Sequence, residues 1–166
     1  MVAGFHRAYP DKVLSLTLAQ PVVGGGVVEP KAREEGIRER FALVEKLGMQ
    51  KYAEQHVPQS CAPNADAAVL AKGIALTAAI PQRGYLNQFR SLRHANIFEW
   101  TTRVRLPAMI VSGEHDSTAA TAMVEDIAKA MRGIRHERIA DIGHMIYLEY
   151  PERFNALLEG LLAEAA

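Results

Sequence analysis

The order of elements between residues 106 and 151 constrains the fold of this chain more than any other feature. An apolar run at 106–111 is followed by an amphipathic helical pattern, a short strand-like segment at 136–140, and a final helical pattern that begins at Pro151. Strands and helices that alternate with short connections are typical of a parallel sheet covered by helices. The sequence therefore predicts an α/β fold.

Two apolar stripes mark the helices of this stretch. Residues that recur every three or four positions lie on one face of a helix. With Ser117 or Thr118 as the expected cap, the first stripe contains Ala120, Met123, Val124, Ile127 and Met131. The second stripe follows Pro151, which suits a first helical position, and contains Phe154, Leu157, Leu158, Leu161 and Leu162.

The N-terminal residues predict a helix end, a strand and a glycine-rich turn. Residues 1–8 are typical of the end of a helix, which stops at Pro10 because the residue before a proline is pushed out of the helical region. The near-continuous apolar run at 13–19 predicts a parallel strand that is covered on both faces. The glycines at 24–26 lack the lysine and Ser/Thr of a phosphate-binding loop, so we expect a flexible hinge there.

Residues 29–94 predict several helices joined by short loops. Pro30 suits a helix start, and the helix that follows is expected to end near Gly48. A short helix then ends before Pro58, and further helices start after Asn64 or Asp66 and at Pro81. Periodicity alone favours a plain helical subdomain with an apolar core. The functional alternative is a lid over a pocket.

Composition narrows the class of protein. With 166 residues, of which 49% are apolar and 23% charged, the chain resembles a single soluble globular domain. Its formal net charge of zero gives no electrostatic reason to expect nucleic acid or an anionic membrane as a partner. The apolar stretch at 74–80 is too short to span a bilayer. Lone Cys61 excludes an internal disulfide framework, and no signal peptide is visible, which together predict a cytoplasmic protein.

An acid and a histidine follow neighbouring strands. Asp116 comes just after the apolar run at 106–111, and His144 comes 28 residues later, after the next strand. Chemistry collects beyond the carboxyl ends of parallel strands, and a carboxylate beside an imidazole can orient a general base. Each residue also has a simpler role open to it. Asp116 could cap a helix, and His144 could be a loop residue bonded to backbone.

The residues around this pair resemble a known superfamily. Residues 106–116 resemble the acid-bearing strand of the α/β-hydrolase superfamily, and 142–154 resemble its histidine loop and final helix. Residues 9–18 are similar to the segment that follows the nucleophile helix. The helices at 29–94 are similar to the lid inserted ahead of the acid strand in enol-lactonase-like and esterase-like members.

The resemblance implies a fold, a division of the chain and two site residues. The fold would be a partial α/β-hydrolase fold, with about three parallel strands, flanking helices and an inserted helical lid. Residues 1–20 would start the core, 21–95 would form the lid, and 96–166 would form the C-terminal core. By the same resemblance Asp116 is the acid of a catalytic triad and His144 is its general base.

The nucleophile of that family is missing from the sequence. It lies in a G-x-S-x-G elbow, and these 166 residues contain no such pattern. Cys61 lies in a proline-bounded loop, where we expect a structural or surface role. The resemblance places the missing serine a few residues before Met1, so we expect Met1 to correspond to an internal methionine of a longer hydrolase.

Two functions from different classes remain open. In the first, the chain is the C-terminal fragment of a serine-type hydrolase that acts on a small carboxylic ester or lactone, and it is inactive without its nucleophile. In the second, it is a non-catalytic pseudo-hydrolase, whose lid and pocket hold an apolar ligand or a partner subunit.

Cofactors and partners follow from the same residues. No cofactor is expected. His115 stands between Glu114 and Asp116, and such a group can bind a metal, but the six histidines lack the paired spacing of ligands on one helix face. No metal site is predicted. Without the nucleophile strand, the strand at 13–19 would have an unpaired apolar edge, which predicts self-association.

Overall fold

Three parallel strands form one sheet at the centre of the molecule. The computed structural model describes residues 1–119 and 121–165. The strands lie in the order β1 (Leu16–Ala19), β2 (Ala108–Gly113) and β3 (Arg135–Ile139). β1 pairs with β2 from Leu16 opposite Ala108, and β2 pairs with β3 from Met109 opposite Arg135. The predicted α/β class with three parallel strands is confirmed.

Helices account for most of the remaining chain. Within the described residues they are α1 (Val2–Ala8), α2 (Pro30–Ser60), α3 (Ala67–Ala78), α4 (Gln82–Ser91), α5 (Ile97–Thr101), α6 (Thr121–Ala130), α7 (Ile146–Glu149) and α8 (Pro151–Glu164). Short 3-10 turns lie at Pro10–Lys12, Gly25–Val27 and Leu92–His94. Each helix of this set is too short or too polar to cross a membrane.

The central strand β2 separates two apolar clusters, because successive side chains of a strand point to opposite faces. On one face Ile110 is fully buried in a cluster with Val124 and Ile127 of α6. On the other face Met109 and Val111 pack with Leu157 and Leu161 of α8. The two predicted helix stripes are therefore core faces on opposite sides of the sheet, except that Leu162 of the second stripe is 60% exposed and lies outside the cluster. Ala120, which was assigned to the first stripe, lies outside the described residues.

The first strand is shorter than the apolar run at 13–19 predicts. Pairing begins where the Leu16 N–H donates to the Pro107 carbonyl at 3.0 Å, because β2 has no residues in place to pair with 13–15. Leu14 is 75% exposed. The prediction that both faces of this strand are covered is also wrong, since Leu16 and Leu18 are buried while Ala19 is exposed.

The helices between residues 29 and 94 start and break close to the predicted positions. The Glu29 carboxylate accepts from the N–H groups of Lys31 and Ala32 ahead of the first turn of α2, and Asp66 caps α3. Gly48 has φ 69° and ψ 165°, which breaks α2 into two arms at the predicted place. The second arm continues through Pro58 to Ser60 rather than ending at 57.

Two local predictions need correction. Ser117 and Thr118 do not start a helix: α6 begins at Thr121, and the Ser117 hydroxyl instead donates to the Gln59 carbonyl at 2.8 Å. The glycines at 24–26 pack closely against a neighbouring segment. A Cβ atom added to Gly26 would lie 2.8 Å from the Ala95 carbonyl oxygen. Close backbone approach therefore requires glycine there, a tertiary constraint that the hinge prediction did not include.

The free edge of β1 generates the first prediction. β2 is the one neighbour of β1 among the described residues, so the N–H and C=O groups on its other side lack strand partners. We expect concentration-dependent self-association of the chain, measured by sedimentation velocity. Ala19→Lys places a charge on this exposed edge and should shift the population toward monomer. Ala122→Lys, which adds the same charge on exposed α6, is the control. A monomer at every concentration would contradict the prediction.

Candidate active site

Asp116 and His144 meet at the carboxyl edge of the sheet. Asp116 lies just beyond the end of β2, and His144 lies in the loop after β3. Because parallel strands end at the same edge, the two residues meet there, and His144 Nδ1 lies 2.8 Å from Asp116 Oδ2. The Asp116 side chain is fully buried, whereas that of His144 is 29% exposed. The fold thus brings together the two site residues that the sequence indicates.

The contacts of Asp116 keep it ionised. Its Oδ1 accepts from the N–H groups of Thr118 and Ala119, each at 2.8 Å, while Oδ2 faces His144. Burial would raise the pKa of this carboxyl, but the His144 hydrogen bond and the two N–H groups outweigh burial and hold the pKa below its ordinary value. Asp116 therefore organises the turn before α6 and also faces the imidazole.

The carboxylate determines which nitrogen of His144 carries a proton. An ionised carboxylate only accepts hydrogen bonds, so the Nδ1 atom beside it must be the donor. In the neutral imidazole this leaves Nε2 without a proton and able to accept one. Within the described residues, no serine, threonine or cysteine side chain forms a hydrogen bond with the His144 ring. In the described part of the chain, Asp116 is therefore the one side chain that is hydrogen-bonded to the His144 ring.

Glu149 is a site residue that the sequence reasoning missed. Its Oε2 accepts from Gly143 N–H at 3.0 Å and from Ala62 N–H at 2.8 Å. Its Oε1 accepts from Met145 N–H at 3.1 Å. One carboxylate therefore holds both neighbours of His144 and the segment that follows α2. The available signal was an acid five residues after the histidine, at the end of the short helix α7 that follows the loop.

Two further contacts fix the histidine loop. The His144 N–H donates to the Ser60 carbonyl at 2.6 Å, at the end of α2. Buried Gln20, at the end of β1, donates through Nε2 to the Gly143 carbonyl, and its Oε1 accepts from Gly113 N–H at 3.0 Å. Gln20 thereby joins the ends of β1 and β2 to the loop. Its sequence signal was a polar residue that directly follows a buried strand.

Cys61 and the serines have structural roles. Cys61 is buried against Val57 and Met145, and burial, aided by Glu149, raises the pKa of its thiol to about 11. It is therefore a thiol rather than a reactive thiolate near neutral pH, in line with the expected structural role. Ser112 Oγ lies 2.8 Å from His136 Nε2, and Ser60 Oγ donates to the His56 carbonyl at 3.0 Å.

A cavity of about 710 Å³ lies between the helices at 29–94 and the rest of the fold. Its lining includes the polar residues Arg33, Arg40, Arg93, Glu39, Tyr52 and His56 and the apolar residues Val22, Val23, Val28, Ile37, Leu43, Phe89 and Met123. Asp116 and His144 do not line it directly. His56 connects the cavity to this pair. Its Nε2 lies 3.5 Å from Ser60 Oγ, and the Ser60 carbonyl accepts a hydrogen bond from the His144 N–H.

A second polar cluster lies at the surface near β3. Possible ligand atoms of Glu114, His115 and Asp141 lie within 4.8 Å of one another, and all three residues are exposed. The cluster differs from the group considered from the sequence, because Asp116 turns inward to His144 and Asp141 takes its place. Exposed acidic groups of this kind are common without a metal.

Comparisons with known proteins identify the fold. No protein-family model matches the sequence, and no curated protein matches it. Among solved structures, an esterase from Thermogutta terrifontis with malate bound matches with a TM-score of 0.84 at 21% identity, over 99% of this chain and 61% of its own. The enol-lactonase from Burkholderia xenovorans LB400 matches with a TM-score of 0.80 at 20% identity, over 97% and 60%.

A third structure, MenH from S. aureus, matches with a TM-score of 0.77 at 15% identity, over 98% of this chain and 65% of its own. The chain has a partial α/β-hydrolase fold, as predicted. It spans 60% to 65% of the length of these three structures. At these identities the likeness shows the fold and does not extend to activity or substrate.

The low pKa of Asp116 generates a prediction about stability and pH. A carboxylate whose pKa is lower in the folded state stabilises that state above its unfolded pKa, and the contribution disappears as pH falls through the folded pKa. We expect Asp116→Asn to lower the free energy of unfolding by about 1–3 kcal/mol at pH 7. The difference from wild type should shrink below about pH 4. Urea unfolding followed by circular dichroism measures both.

Asp126→Asn is the control for this experiment, since Asp126 is exposed on α6 and pairs with Lys129 at the surface. That variant should differ little from wild type at any pH. A difference for Asp116→Asn that stays constant between pH 7 and pH 3 would show that the carboxylate charge is not what stabilises this site.

The Glu149 contacts generate a prediction about local order. Glu149→Gln replaces one acceptor oxygen with a donor that faces backbone N–H groups, so the histidine loop should open more often. We expect amide hydrogen exchange of Gly143, Met145 and Ala62 to rise roughly tenfold, since a lost hydrogen bond is worth about 1–2 kcal/mol. Glu152→Gln, at an exposed position in α8, should leave these rates unchanged. Equal rates in both variants would contradict the role of Glu149.

Proposed function

We propose that Asp116 and His144 are the acid and general base of a serine-type hydrolase that acts on a small carboxylic ester or lactone, with a nucleophile from outside these 166 residues. The observation that carries the proposal is the 2.8 Å contact between the buried Asp116 carboxylate and His144 Nδ1. It lies at the carboxyl edge of a parallel sheet, where such chemistry collects.

The proposed reaction uses both nitrogens of His144. His144 Nε2 takes the proton of the nucleophile hydroxyl while its oxygen forms a bond to the ester carbonyl carbon. The tetrahedral intermediate collapses, the bond to the alcohol oxygen breaks, and Nε2 returns the proton to that oxygen. Water then gives a proton to Nε2 and attacks the acyl carbon, the bond from that carbon to the nucleophile oxygen breaks, and Nε2 returns the proton to that oxygen as the carboxylic acid leaves. Asp116 keeps Nδ1 protonated and stabilises the imidazolium that forms in each step.

The first candidate needs a partner segment. No G-x-S-x-G pattern occurs in the sequence, so the attacking hydroxyl and its elbow have to come from elsewhere.

Residues 21–95 would act as the lid, and the boundary at 95 is part of the proposal. The esterase and the enol-lactonase among the similar structures favour ester or lactone chemistry, although one fold supports many reactions. A cytoplasmic location, without nucleic-acid or membrane partners, belongs to the same proposal.

A pseudo-hydrolase that binds ligands without chemistry is the second candidate. The 710 Å³ cavity favours it, because the cavity has a volume typical of small-molecule sites and is lined by residues of this chain. The sequence also lacks the nucleophile pattern. Under this candidate His144 and Asp116 would keep the loop ordered, and no reaction would depend on them.

Ester hydrolysis with and without a supplied nucleophile tests the proposal. The chain alone should hydrolyse p-nitrophenyl acetate no faster than its His144→Ala variant, because removing a triad member leaves only residual catalysis. Joined to an N-terminal segment with a strand and a G-x-S-x-G elbow, it should gain hydrolysis that falls about 10³–10⁴-fold in Asp116→Asn and His144→Ala.

The control for the joined protein replaces the elbow serine with alanine, which should remove the same activity. Hydrolysis by the joined protein that is unaffected by His144→Ala would reject the proposed base. Strong His144-dependent hydrolysis by the chain alone would reject the supplied nucleophile. A joined protein that folds cooperatively and binds ligand without turnover would favour the pseudo-hydrolase.

A further inference from the structure

Arg40 presents unused hydrogen-bond donors to the cavity. Its guanidinium lies over the rings of Tyr52 and Phe89, at 5.6 Å and 5.3 Å from their centroids, and donates through Nη1 to the Tyr52 hydroxyl. Tyr52 Oη in turn lies 2.7 Å from Tyr85 Oη. An arginine has five N–H donors, and Tyr52 is the one protein acceptor for Arg40 among residues 1–119 and 121–165. The aromatic rings hold the guanidinium in place and leave its other donors available.

The charges around the cavity do not balance. Arg33 and Arg93, which also line the cavity, share the carboxylate of Glu34, with Arg33 Nε at 3.4 Å from its Oε1. Arg40 has no carboxylate within 4.0 Å in the part of the chain that the structure describes. Glu39, the acid among the lining residues, is exposed at the rim. Three guanidinium groups therefore face two carboxylates, which leaves a net positive charge.

His56 adds no compensating negative charge and little positive charge. Burial, together with Arg40 and His144, lowers the pKa of His56, so it is mainly neutral near pH 7. Its ring stacks on Tyr52, with centroids 5.1 Å apart. The cationic character of this part of the cavity therefore comes from the arginines.

A series of contacts connects Arg40 to His144. Tyr52 contacts Arg40 on one side and stacks on His56 on the other. His56 Nε2 lies 3.5 Å from Ser60 Oγ, and the Ser60 carbonyl accepts the His144 N–H. These contacts run along the second arm of α2 from the cavity toward the base. Apolar Val22, Val23 and Met123, which pack against the core cluster around Ile110, also line the cavity and suit a short carbon chain.

We propose that Arg40 binds a carboxylate of the ligand, so that the ligands of this cavity are small esters or lactones with a second, ionised carboxyl group. A guanidinium pairs with a planar carboxylate through two parallel hydrogen bonds, which a neutral group cannot match. The ester or lactone part rests on the proposed function. The carboxylate preference rests on Arg40 and the cavity, and it holds equally for a ligand that is not hydrolysed.

A matched pair of ligands tests the preference without any catalysis. Monoethyl glutarate carries a carboxylate, and its primary amide has nearly the same shape without the charge. Calorimetric titration of the 166-residue chain should show the carboxylate binding roughly tenfold to hundredfold more tightly, because hydrogen bonds to charged groups are worth about 1.5–3 kcal/mol. Raising the NaCl concentration should reduce this ratio.

Variants assign the preference to Arg40. Arg40→Gln should bind both ligands equally, as weakly as wild type binds the amide, whereas a purely structural role would weaken both together. Arg38→Gln, on the same helix but exposed and outside the cavity lining, should keep the wild-type ratio. If Arg40→Gln fails to fold, Arg40→Lys keeps a charge without the planar fork and should retain part of the ratio.

Two outcomes overturn the inference: wild-type chain that binds the two ligands equally or binds neither, and a preference that survives Arg40→Gln. Neither outcome decides the proposed function, since a hydrolase of neutral esters would also give them. Conversely, a carboxylate preference that depends on Arg40 stands even when the joined protein shows no hydrolysis.

Discussion

Burial of the Asp116 carboxylate places the strongest demand on this structure. A charge removed from water is costly unless hydrogen bonds replace its hydration. The N–H groups of Thr118 and Ala119 and the ring of His144 do so. Two of these donors come from the turn directly after Asp116. The third donor, the His144 ring, belongs to another loop that has to be held in position. This explains the number of contacts around that loop.

The loop of His144 is held from three sides. Gln20 approaches from the end of β1, Glu149 from α7, and the Ser60 carbonyl from the end of α2. These groups belong to the sheet region and to the helices at 29–94 alike. The orientation of the imidazole is therefore a property of the whole described fold rather than of one loop. The cavity beside this junction is likewise lined by residues of both regions, with its arginines in the helical region and apolar residues in both.

Local patterns in the sequence were sufficient to predict the strands and helices of the C-terminal region and the proximity of Asp116 and His144. The apolar runs and stripes identified β2, β3, α6 and α8, and strand order alone brought Asp116 toward His144. The sequence reasoning missed Gln20 because its bond to Gly143 joins residues 123 positions apart. For Glu149, the bonds to Gly143 and Met145 are local, but the bond to Ala62, which ties in the end of α2, joins residues 87 positions apart. The sequence reasoning also overestimated β1 and misassigned Ser117. Both errors arose where a distant partner, Pro107 or Gln59, determines the local conformation.

The contacts of Ser60 and Ala62 bear on how the helices at 29–94 could be exchanged between proteins of this fold. The Ser60 carbonyl and the Ala62 N–H, at the end of α2, take part in orienting the loop of the histidine. A grafted helical segment cut at a convenient surface position would bring its own backbone to these two places and shift the imidazole. Chimeras should keep 60–62 with the recipient core and vary the first arm of α2, where Gly48 already separates the two arms.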